Sequence, residues 1–440
     1  MRIILPAASL VDQVVGKQKR ADSQVYRLMT YVIQCPVEDG VLFYHTLTCC
    51  LLLLSHEEVV HNSEQGELID HWFLVPKGHD DRKFCQQIRQ MARLFLPPAK
   101  TITGYTILTT TGCNARCFYC YEKGTKPVTM TAETASKVSR YIMSHRGEEK
   151  VKISWFGGEP LMNVRVIDQI CSELSQNDVP FSSKMTSNGY LFEVDMVHRA
   201  KDLWRLQQVQ ITLDGTEETY NHVKSYVYKD MNAFERVLRN IEMLTAQGIN
   251  VLVRLNVDRH NIGEMSELIS LLHQRFGVNE HLSVYSHELF GERTPEDNSA
   301  LYEQRMALEQ EILDGGYRRK RELQKEIKLN HCMADNDNSV VISPAGYLGK
   351  CEHYIDREFF GHIDSEENDE GIIRKFKERP DDIEACDTCP CYPQCYRLVM
   401  CENGVECTPE RQKENIHITI EAMKDEYENY LNKKEHETEI

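Results

Sequence analysis

An alternation narrows the fold of this chain more than any other feature. From about Thr101 to Phe290, β-rich runs and helical stretches take turns. Candidate strands are 105–109, 151–155, 183–186, 209–213, 251–257 and 282–285, with helical patterns such as 132–145, 233–247 and 263–276 between them. A strand that runs parallel to its predecessor needs a crossover, and a helix is the usual one. About six such units predict an α/β barrel or partial barrel rather than a three-strand fragment.

The flanks read differently. Residues 31–37 and 41–48 are β-rich around Glu38-Asp39-Gly40, which reads as a hairpin. Residues 49–54 continue as a buried strand or helix start. Phe84, Ile88, Met91 and Leu94-Phe95 give 80–96 a helical period, ended by Pro97-Pro98. Residues 299–329 read as a charged helical bridge, and 332–407 as a loop-rich, cysteine-rich stretch. After Thr408 an acidic tail keeps a helical stripe of Ile416, Ile420, Met423, Tyr427 and Leu431. The expected divisions are 1–98, 101–298, 299–330, 331–410 and 411–440.

Charge and composition exclude several classes. A net charge of −17 argues against nonspecific nucleic-acid binding, which needs a cationic footprint. The longest apolar run, 49–54, is far too short for a membrane span, and the first residues lack the marks of a signal peptide. The expectation is a soluble cytoplasmic protein with no membrane partner. Sixteen cysteines in such a chain should stay reduced. Their clustering points to metal ligands: none lies between Cys171 and Cys332, while 386–407 holds six. Cys35, Cys49, Cys50, Cys85 and Cys171 have no metal spacing and read as small buried hydrophobes.

The first chemical site lies in the loop after the first barrel strand. Residues 112–121 read GCNARCFYCY, placing Cys113, Cys117 and Cys120 at C-x3-C-x2-C spacing. Three thiolates on a short loop can hold three irons of a four-iron cluster and leave the fourth open. A zinc site wants four ligands, and no fourth lies nearby. At these residues the sequence resembles the radical S-adenosylmethionine (radical SAM) family. The resemblance implies a partial (β/α)6 TIM-type barrel with its site at the strands' C-terminal ends. It also implies that the open iron chelates S-adenosylmethionine, whose reductive cleavage yields a 5′-deoxyadenosyl radical.

Further residues match that family's cofactor pattern. Gly157, Gly158, Glu159 and Pro160 follow the second strand, where glycines allow close backbone approach to the methionine amino group. Tyr119 matches the position near adenine. Thr212 in ITLDG takes the place of a serine that contacts the cofactor carboxylate in relatives. Ten residues after Asp214, Lys224 stands where relatives carry arginine; lysine lacks arginine's bidentate fork. Arg254 is a second cation on a barrel strand, and Asn188 in TSNG is placed to reach the ribose. For Lys224 and Arg254 the alternative is a plain ion pair, and for Asn188 a turn.

The C-terminal cysteines resemble the SPASM extension of these enzymes, which carries two auxiliary [4Fe-4S] clusters. Cys332 is followed by thirteen residues, Gly346, four residues and Cys351; then come Cys386-x2-Cys389-x5-Cys395, Cys401 and Cys407. Carried over residue by residue, Cys332, Cys351 and Cys401 would hold the first auxiliary cluster. Cys386, Cys389, Cys395 and Cys407 would hold the second. Five residues precede Cys401 where relatives have three, and Cys391 is extra, as ligand or spectator. Sulfatase-maturing relatives have one more ligand six residues before Cys332; here that position is Glu326. The first auxiliary cluster would then have an open iron able to take a substrate thiolate, with His331 as an alternative ligand that would fill it. Glu352 follows Cys351 where those relatives carry a catalytic aspartate, with a surface glutamate as the alternative.

The N-terminal strand–turn–strand and helix resemble the small winged-helix element that binds leader peptides, which adds a leader as an extra strand. A plain cap on the barrel is the rival. Together the resemblances imply a maturase that cross-links a ribosomally made precursor peptide with a leader segment, through thioethers to cysteine. An electron donor such as flavodoxin or ferredoxin would supply the reductant. The alternatives are carbon–carbon cross-linking, formylglycine formation as in sulfatase maturation, and a nonenzymatic iron–sulfur electron carrier.

Overall fold

Strands β1 (Arg2–Leu5), β2 (Tyr26–Leu28), β3 (Val32–Val37), β4 (Gly40–His45), β5 (Leu51–Leu54) and β6 (Leu74–Pro76) open the chain. The hairpin turn is Glu38-Asp39, with Val37 opposite Gly40 in the β3–β4 ladder. Gly40 has φ of +150°, and a Cβ there would lie 2.0 Å from Leu54 O. Only glycine fits that approach. The sheet runs antiparallel in the order β1-β5-β4-β3, so β3 is an edge; β2 and β6 form a separate pair. Helix Asp81–Phe95 buries Cys85, Ile88 and Ala92. Asp81 fastens its start, accepting from Arg27 at 2.8 and 3.0 Å and from Thr30 N at 2.8 Å. The computed structural model describes all residues except 9, 11–13, 19–24, 62–64, 96–98, 230–231, 290–294, 318–320, 355, 396, 402–406 and 439–440. Pro97-Pro98 and part of the expected bridge therefore lie outside the described residues.

This sheet belongs to a unit assembled from three stretches, Met1–Pro98, Lys320–His331 and Glu378–Ile440. Long-range hydrogen bonds close it. Tyr44 OH donates to Gln324 O (2.8 Å), Gln394 Nε2 to Tyr44 OH (2.7 Å), and Arg89 Nη2 to Tyr392 O (3.0 Å). Helix Pro409–Thr438 carries the expected stripe: Met423 and Tyr427 are buried, with Ile416, Ile420 and Leu431 packed beside them.

The second unit comprises Ala99–Arg319 and Cys332–Lys377, so the expected 331–410 stretch is divided between the two. Its strands are β7 (Gly104–Thr110), β8 (Val151–Gly157), β9 (Phe181–Ser187), β10 (Leu206–Leu213), β11 (Asn250–Val257), β12 (Leu282–Glu288), β13 (Ser339–Ile342), β14 (Tyr347–Gly349) and β15 (Phe359–His362). The sheet order is β12-β11-β10-β9-β8-β7-β13-β14-β15. Strands β7 to β12 are parallel in sequence order, with helices such as Ala132–His145, Val164–Gln176, Ala233–Ala246 and Met265–Phe276 as crossovers. Among the described residues β12 and β7 do not pair, so this is an open partial barrel. The helix expected over 299–329 is instead Pro295–Asp314. Gly315-Gly316 stops it, Gly316 with φ of +75°, and residues 321–329 form no helix.

The parallel strands have two unlike faces. Val151, Ile153 and Trp155 of β8, Phe181 and Met185 of β9, Val209 and Ile211 of β10 and Val251 and Val253 of β11 are buried in the main core with the crossover helices. Side chains alternate across a strand, so the opposite face carries Ser154, Lys184, Thr186, Gln208, Gln210, Thr212, Arg254, Asn256, Tyr285 and His287. Most of these are half-buried or exposed. The barrel interior is therefore largely polar, apart from Leu108 and Phe156, which belong to a small separate apolar cluster.

Candidate active site at the cysteine loop

The Cys113–Cys120 loop follows β7 directly, at the C-terminal ends of the parallel strands. Two main-chain bonds fasten it: Arg116 N donates to Lys224 O (2.8 Å) and Val227 N to Asn114 O (2.9 Å). The three thiols are partly buried. Burial pushes Cys113 up to about 11, with Glu159, Cys117 and Cys120 adding to the shift. Burial also raises Cys117 and Cys120; Lys224 opposes the shift at Cys117 and Asp214 reinforces it. Cys113 and Cys120 therefore both feel Cys117. Among the described residues no three His, Cys, Asp or Glu side chains converge on one point as ligands of a single ion. A four-iron cluster asks something else, since each thiolate bonds its own iron.

Gly157 and Gly158 meet the loop backbone to backbone. Gly158 N donates to Thr110 O and Glu159 N to Gly112 O, both at 3.0 Å. A Cβ on Gly157, at φ of +117°, would lie 2.1 Å from Thr110 O, and one on Gly158 2.4 Å from Gly112 O. Here the glycines let two chain segments touch. Glu159 is fully buried and accepts from Leu161 N (3.1 Å), Ser187 Oγ (2.9 Å) and Asn188 N (2.8 Å). Burial raises it to about 7 against the pull of those donors. Its carboxylate thus holds the end of β9. Asn188 Nδ2 turns back onto the loop, donating to Asn114 Oδ1 at 2.7 Å.

A second cluster of side chains lies beneath the loop. Lys224 and Asp214 form an ion pair at 2.8 Å, with side chains 3% and 1% exposed. Lys224 Nζ also donates to Thr212 Oγ1 (2.6 Å) and Tyr119 OH (3.1 Å). Tyr119 OH donates to Asp214 Oδ1 (2.6 Å), and Asn256 Nδ2 donates to both Tyr119 OH and Asp214 Oδ1 at 3.0 Å. Burial alone would depress the Lys224 ammonium; Asp214, then Tyr119 and Cys117, hold it well above the ordinary lysine value. The structure thus brings Tyr119, Thr212 and Lys224 into one network. Arg254 stands next to Thr212 in the β10–β11 register, but its Nη2 meets His287 Nδ1 at 2.8 Å instead. Asp214, Asn256 and Asn261, which donates to Asp214 O at 2.8 Å, were absent from the sequence-derived set. Their signal was strand parity: Asn256 shares the face of Arg254, two residues on.

The other candidates lie in both units. In the second unit Cys332 is exposed and Cys351 half-buried. Glu352 opens the short turn Glu352–Tyr354, and the ring of His353 stacks on Tyr121 with centroids 4.2 Å apart. Both Glu352 and Cys351 act electrostatically on Tyr121, one residue after Cys120. Burial raises the adjacent Glu122 to about 7, with Asp356 adding. In the first unit Cys386, Cys389 and Cys391 are buried and Cys395, Cys401 and Cys407 half-buried. A hydrogen bond from Cys391 lowers Cys389 to about 6, while Cys395 is raised by burial and then by Cys389 and Cys407.

Fold and site together define a class: an open parallel α/β barrel with a thiol-bearing loop at the C-terminal end of its first strand. Residues 107–272 match the Radical SAM superfamily. It is 21% identical over 198 residues to Fe-coproporphyrin III synthase of Methanosarcina barkeri, covering 45% of this chain and 46% of that protein. It is 30% identical over 175 residues to a probable GTP 3′,8-cyclase of Archaeoglobus fulgidus, covering 38% and 55%. The chain thus spans about half the length of these curated relatives. Among solved structures, anSMEcpe with bound AdoMet and Cp18Cys peptide shares the fold at TM-score 0.54 and 14% identity, covering 75% of this chain and 99% of that one. SuiB of Streptococcus suis bound to precursor peptide SuiA does so at 0.52 and 10%, covering 85% and 95%. Among the described residues no helix is long and apolar enough to cross a membrane.

Proposed function

We propose that the chain is a radical SAM peptide maturase that forms thioether links, cysteine sulfur to carbon, in a precursor peptide. The observation that carries the enzymatic part is the trio Cys113, Cys117 and Cys120, partly buried on one loop beside the Tyr119–Asp214–Lys224 network. Three thiols raised by burial ionise readily only beside a cationic centre, so the donor set fits three irons of a [4Fe-4S] cluster. When bound, that cluster and S-adenosylmethionine supply a 5′-deoxyadenosyl radical. Tyr119, Gly157, Gly158, Glu159, Asn188, Thr212, Lys224 and Arg254 would form or brace the cofactor pocket. In this reading Lys224 and Asp214 fix Tyr119 beneath the loop, and Glu159 fixes the turn that carries Asn188.

Cys332, Cys351 and Cys401, and Cys386, Cys389, Cys395 and Cys407, would hold two auxiliary clusters. The first lacks a fourth cysteine, because position 326 is glutamate, and that open site is what favours binding of a substrate thiolate over a purely electron-carrying role. Glu352 is placed beside Cys351 to take the substrate proton. Edge strand β3 offers the leader a ladder to extend. The proteins crystallised with AdoMet and with peptides lend support through their shared fold.

The test is anaerobic reconstitution. Iron should reach about twelve per chain, and replacing Cys113, Cys117 and Cys120 by Ala should remove about four. Reductive incubation with S-adenosylmethionine should release 5′-deoxyadenosine. Coexpression with a short cysteine-bearing peptide encoded beside this chain should lower the peptide's mass by two hydrogens per link and block alkylation of its cysteines. Iron loading without 5′-deoxyadenosine would leave only an electron carrier. A cross-linked peptide whose cysteines all still alkylate would refute the thioether.

A further inference from the structure

The barrel's inner face has an electrostatic character opposite to that of the chain. The chain carries a net charge of −17. Yet the inner face of β8 to β12 presents three cations, Lys152, Lys184 and Arg254, and no carboxylate; the one acid within those strands, Glu288 at the end of β12, falls on the other face. Their orientation is fixed by their neighbours: Val151 and Ile153 flank Lys152, Ser183 and Met185 flank Lys184, and Val253 and Leu255 flank Arg254, all buried on the helix side. Three acids lie just past the strand ends, and all are engaged: Glu159 accepts from Leu161 N, Ser187 Oγ and Asn188 N. Asp214 is paired with Lys224, and Asp258 accepts from His260 N and Asn261 N.

Lys152 and Lys184 are exposed, and among the described residues neither side-chain ammonium makes a hydrogen bond or ion pair. Lys152 stands opposite Ser182, two residues before Lys184 on β9. Adjacent-strand neighbours offset by two residues lie about 7–8 Å apart, close enough for two flexible ammonium groups to share one anionic segment. Lys184 is level with Gln208, and Arg254 with Thr212 two strands away and four residues nearer the cysteine loop. At about 3.3 Å per residue and 4.8 Å per strand, Lys184 to Arg254 is about 16 Å, the reach of about five extended residues. Polar side chains line the way: Gln208, Gln210 and Tyr285, whose OH donates to Gln210 Oε1 at 3.0 Å.

We propose that the peptide segment received by this barrel is acidic, with aspartate or glutamate side chains lying against Lys184 and Lys152 and the chain running on past Arg254 toward the cysteine loop. This rests on the peptide-maturase reading and gives that site its substrate class. Two lysines held without partners inside a strongly anionic protein favour acidic ligands and reject basic ones, because like-charge contacts are costly.

The probe is fluorescein-labelled hexaglutamate, read by fluorescence anisotropy on the reconstituted full chain, with labelled hexalysine and hexaserine beside it. Hexaglutamate should bind, more weakly as salt rises, and hexalysine should not. The double variant Lys152→Glu with Lys184→Glu should weaken binding by about tenfold or more, and the Lys→Gln pair by about threefold. Both variants should keep wild-type iron content, circular dichroism and 5′-deoxyadenosine release, since neither lysine touches the loop network. Unchanged affinity in the charge-reversed variant, hexalysine binding as tight as hexaglutamate, or no hexaglutamate binding up to millimolar protein would overturn the proposal. Failure of the enzymatic reading shows separately, as wild-type protein that releases no 5′-deoxyadenosine.

Discussion

Replacing Lys224 by methionine tests whether the ion pair beneath the cysteine loop is a structural unit. Methionine matches the length of the stem and removes the charge. Asp214, 1% exposed, would keep the bonds from Tyr119 and Asn256 on Oδ1 but lose the ammonium 2.8 Å from Oδ2. Stranding one member of a buried pair costs about 3–5 kcal/mol, and the two surviving donors put this case near the lower end. For a unit of this size that is a fall in Tm of about 6–12 °C. Pairing it with Asp214→Asn removes both charges, and the double variant should recover about 2 kcal/mol of the loss, because the two sites are in contact and do not add. The assay is thermal and urea unfolding of the four proteins of the cycle, followed by far-UV circular dichroism. A Lys224→Met loss below about 1 kcal/mol, or a double variant no more stable than the single, would refute the account.

Three further outcomes follow from the geometry. His45 is fully buried; its Nε2 faces Trp72 O at 3.2 Å, and its Nδ1 accepts from Leu47 N (3.3 Å) and Thr48 N (3.4 Å), an arrangement only the neutral ring satisfies. Burial lowers it from 6.5 to about 4. A depressed folded value means the stabilisation is present above pH 6.5 and lost as pH falls toward 4, about 3 kcal/mol in all. His45→Gln should flatten that stretch of the stability–pH curve, and an equally steep slope would count against the role. Gly158→Ala should cut iron content and 400-nm absorbance together, because its Cβ would meet a carbonyl at 2.4 Å; normal iron loading would contradict this. His353→Ala, which removes the stack on Tyr121, should leave iron content at the cysteine loop unchanged but slow 5′-deoxyadenosine release, checked by single-turnover kinetics.

The barrel was legible because its signals are local. Each parallel strand is a short run that carries Val, Ile or Thr, β8 to β12 largely alternate buried with less buried residues, and Ala132–His145 begins at Thr131, whose hydroxyl accepts from Thr134 N. The cysteine loop was legible because three thiols in eight residues leave few other uses. The polar network under it was only half visible: Thr212 and Lys224 stood out, while Asp214 and Asn256 join them only once β10 and β11 lie side by side. The end of the bridging helix was missed because charged residues suit a helix and a bridge equally, and only Gly315-Gly316 marks the stop. The makeup of the first unit was least legible. What draws Gln324 and Gln394 to the N-terminal sheet, and Tyr392 to the helix Asp81–Phe95, is hydrogen bonding across some three hundred residues, which leaves no periodicity to read.

That discontinuity has a consequence for how the chain is made. The second unit ends at Lys377, so it emerges whole from the ribosome while the first still lacks its last segment. Tyr31, Tyr44 and Arg89 must wait for partners about 300 residues downstream, and the final helix brings Met423 and Tyr427 later still. At about 5–20 residues per second, the nascent N-terminal strands spend on the order of tens of seconds without their cover. A chaperone that shields those strands during translation would therefore raise the yield of this protein more than one acting after release.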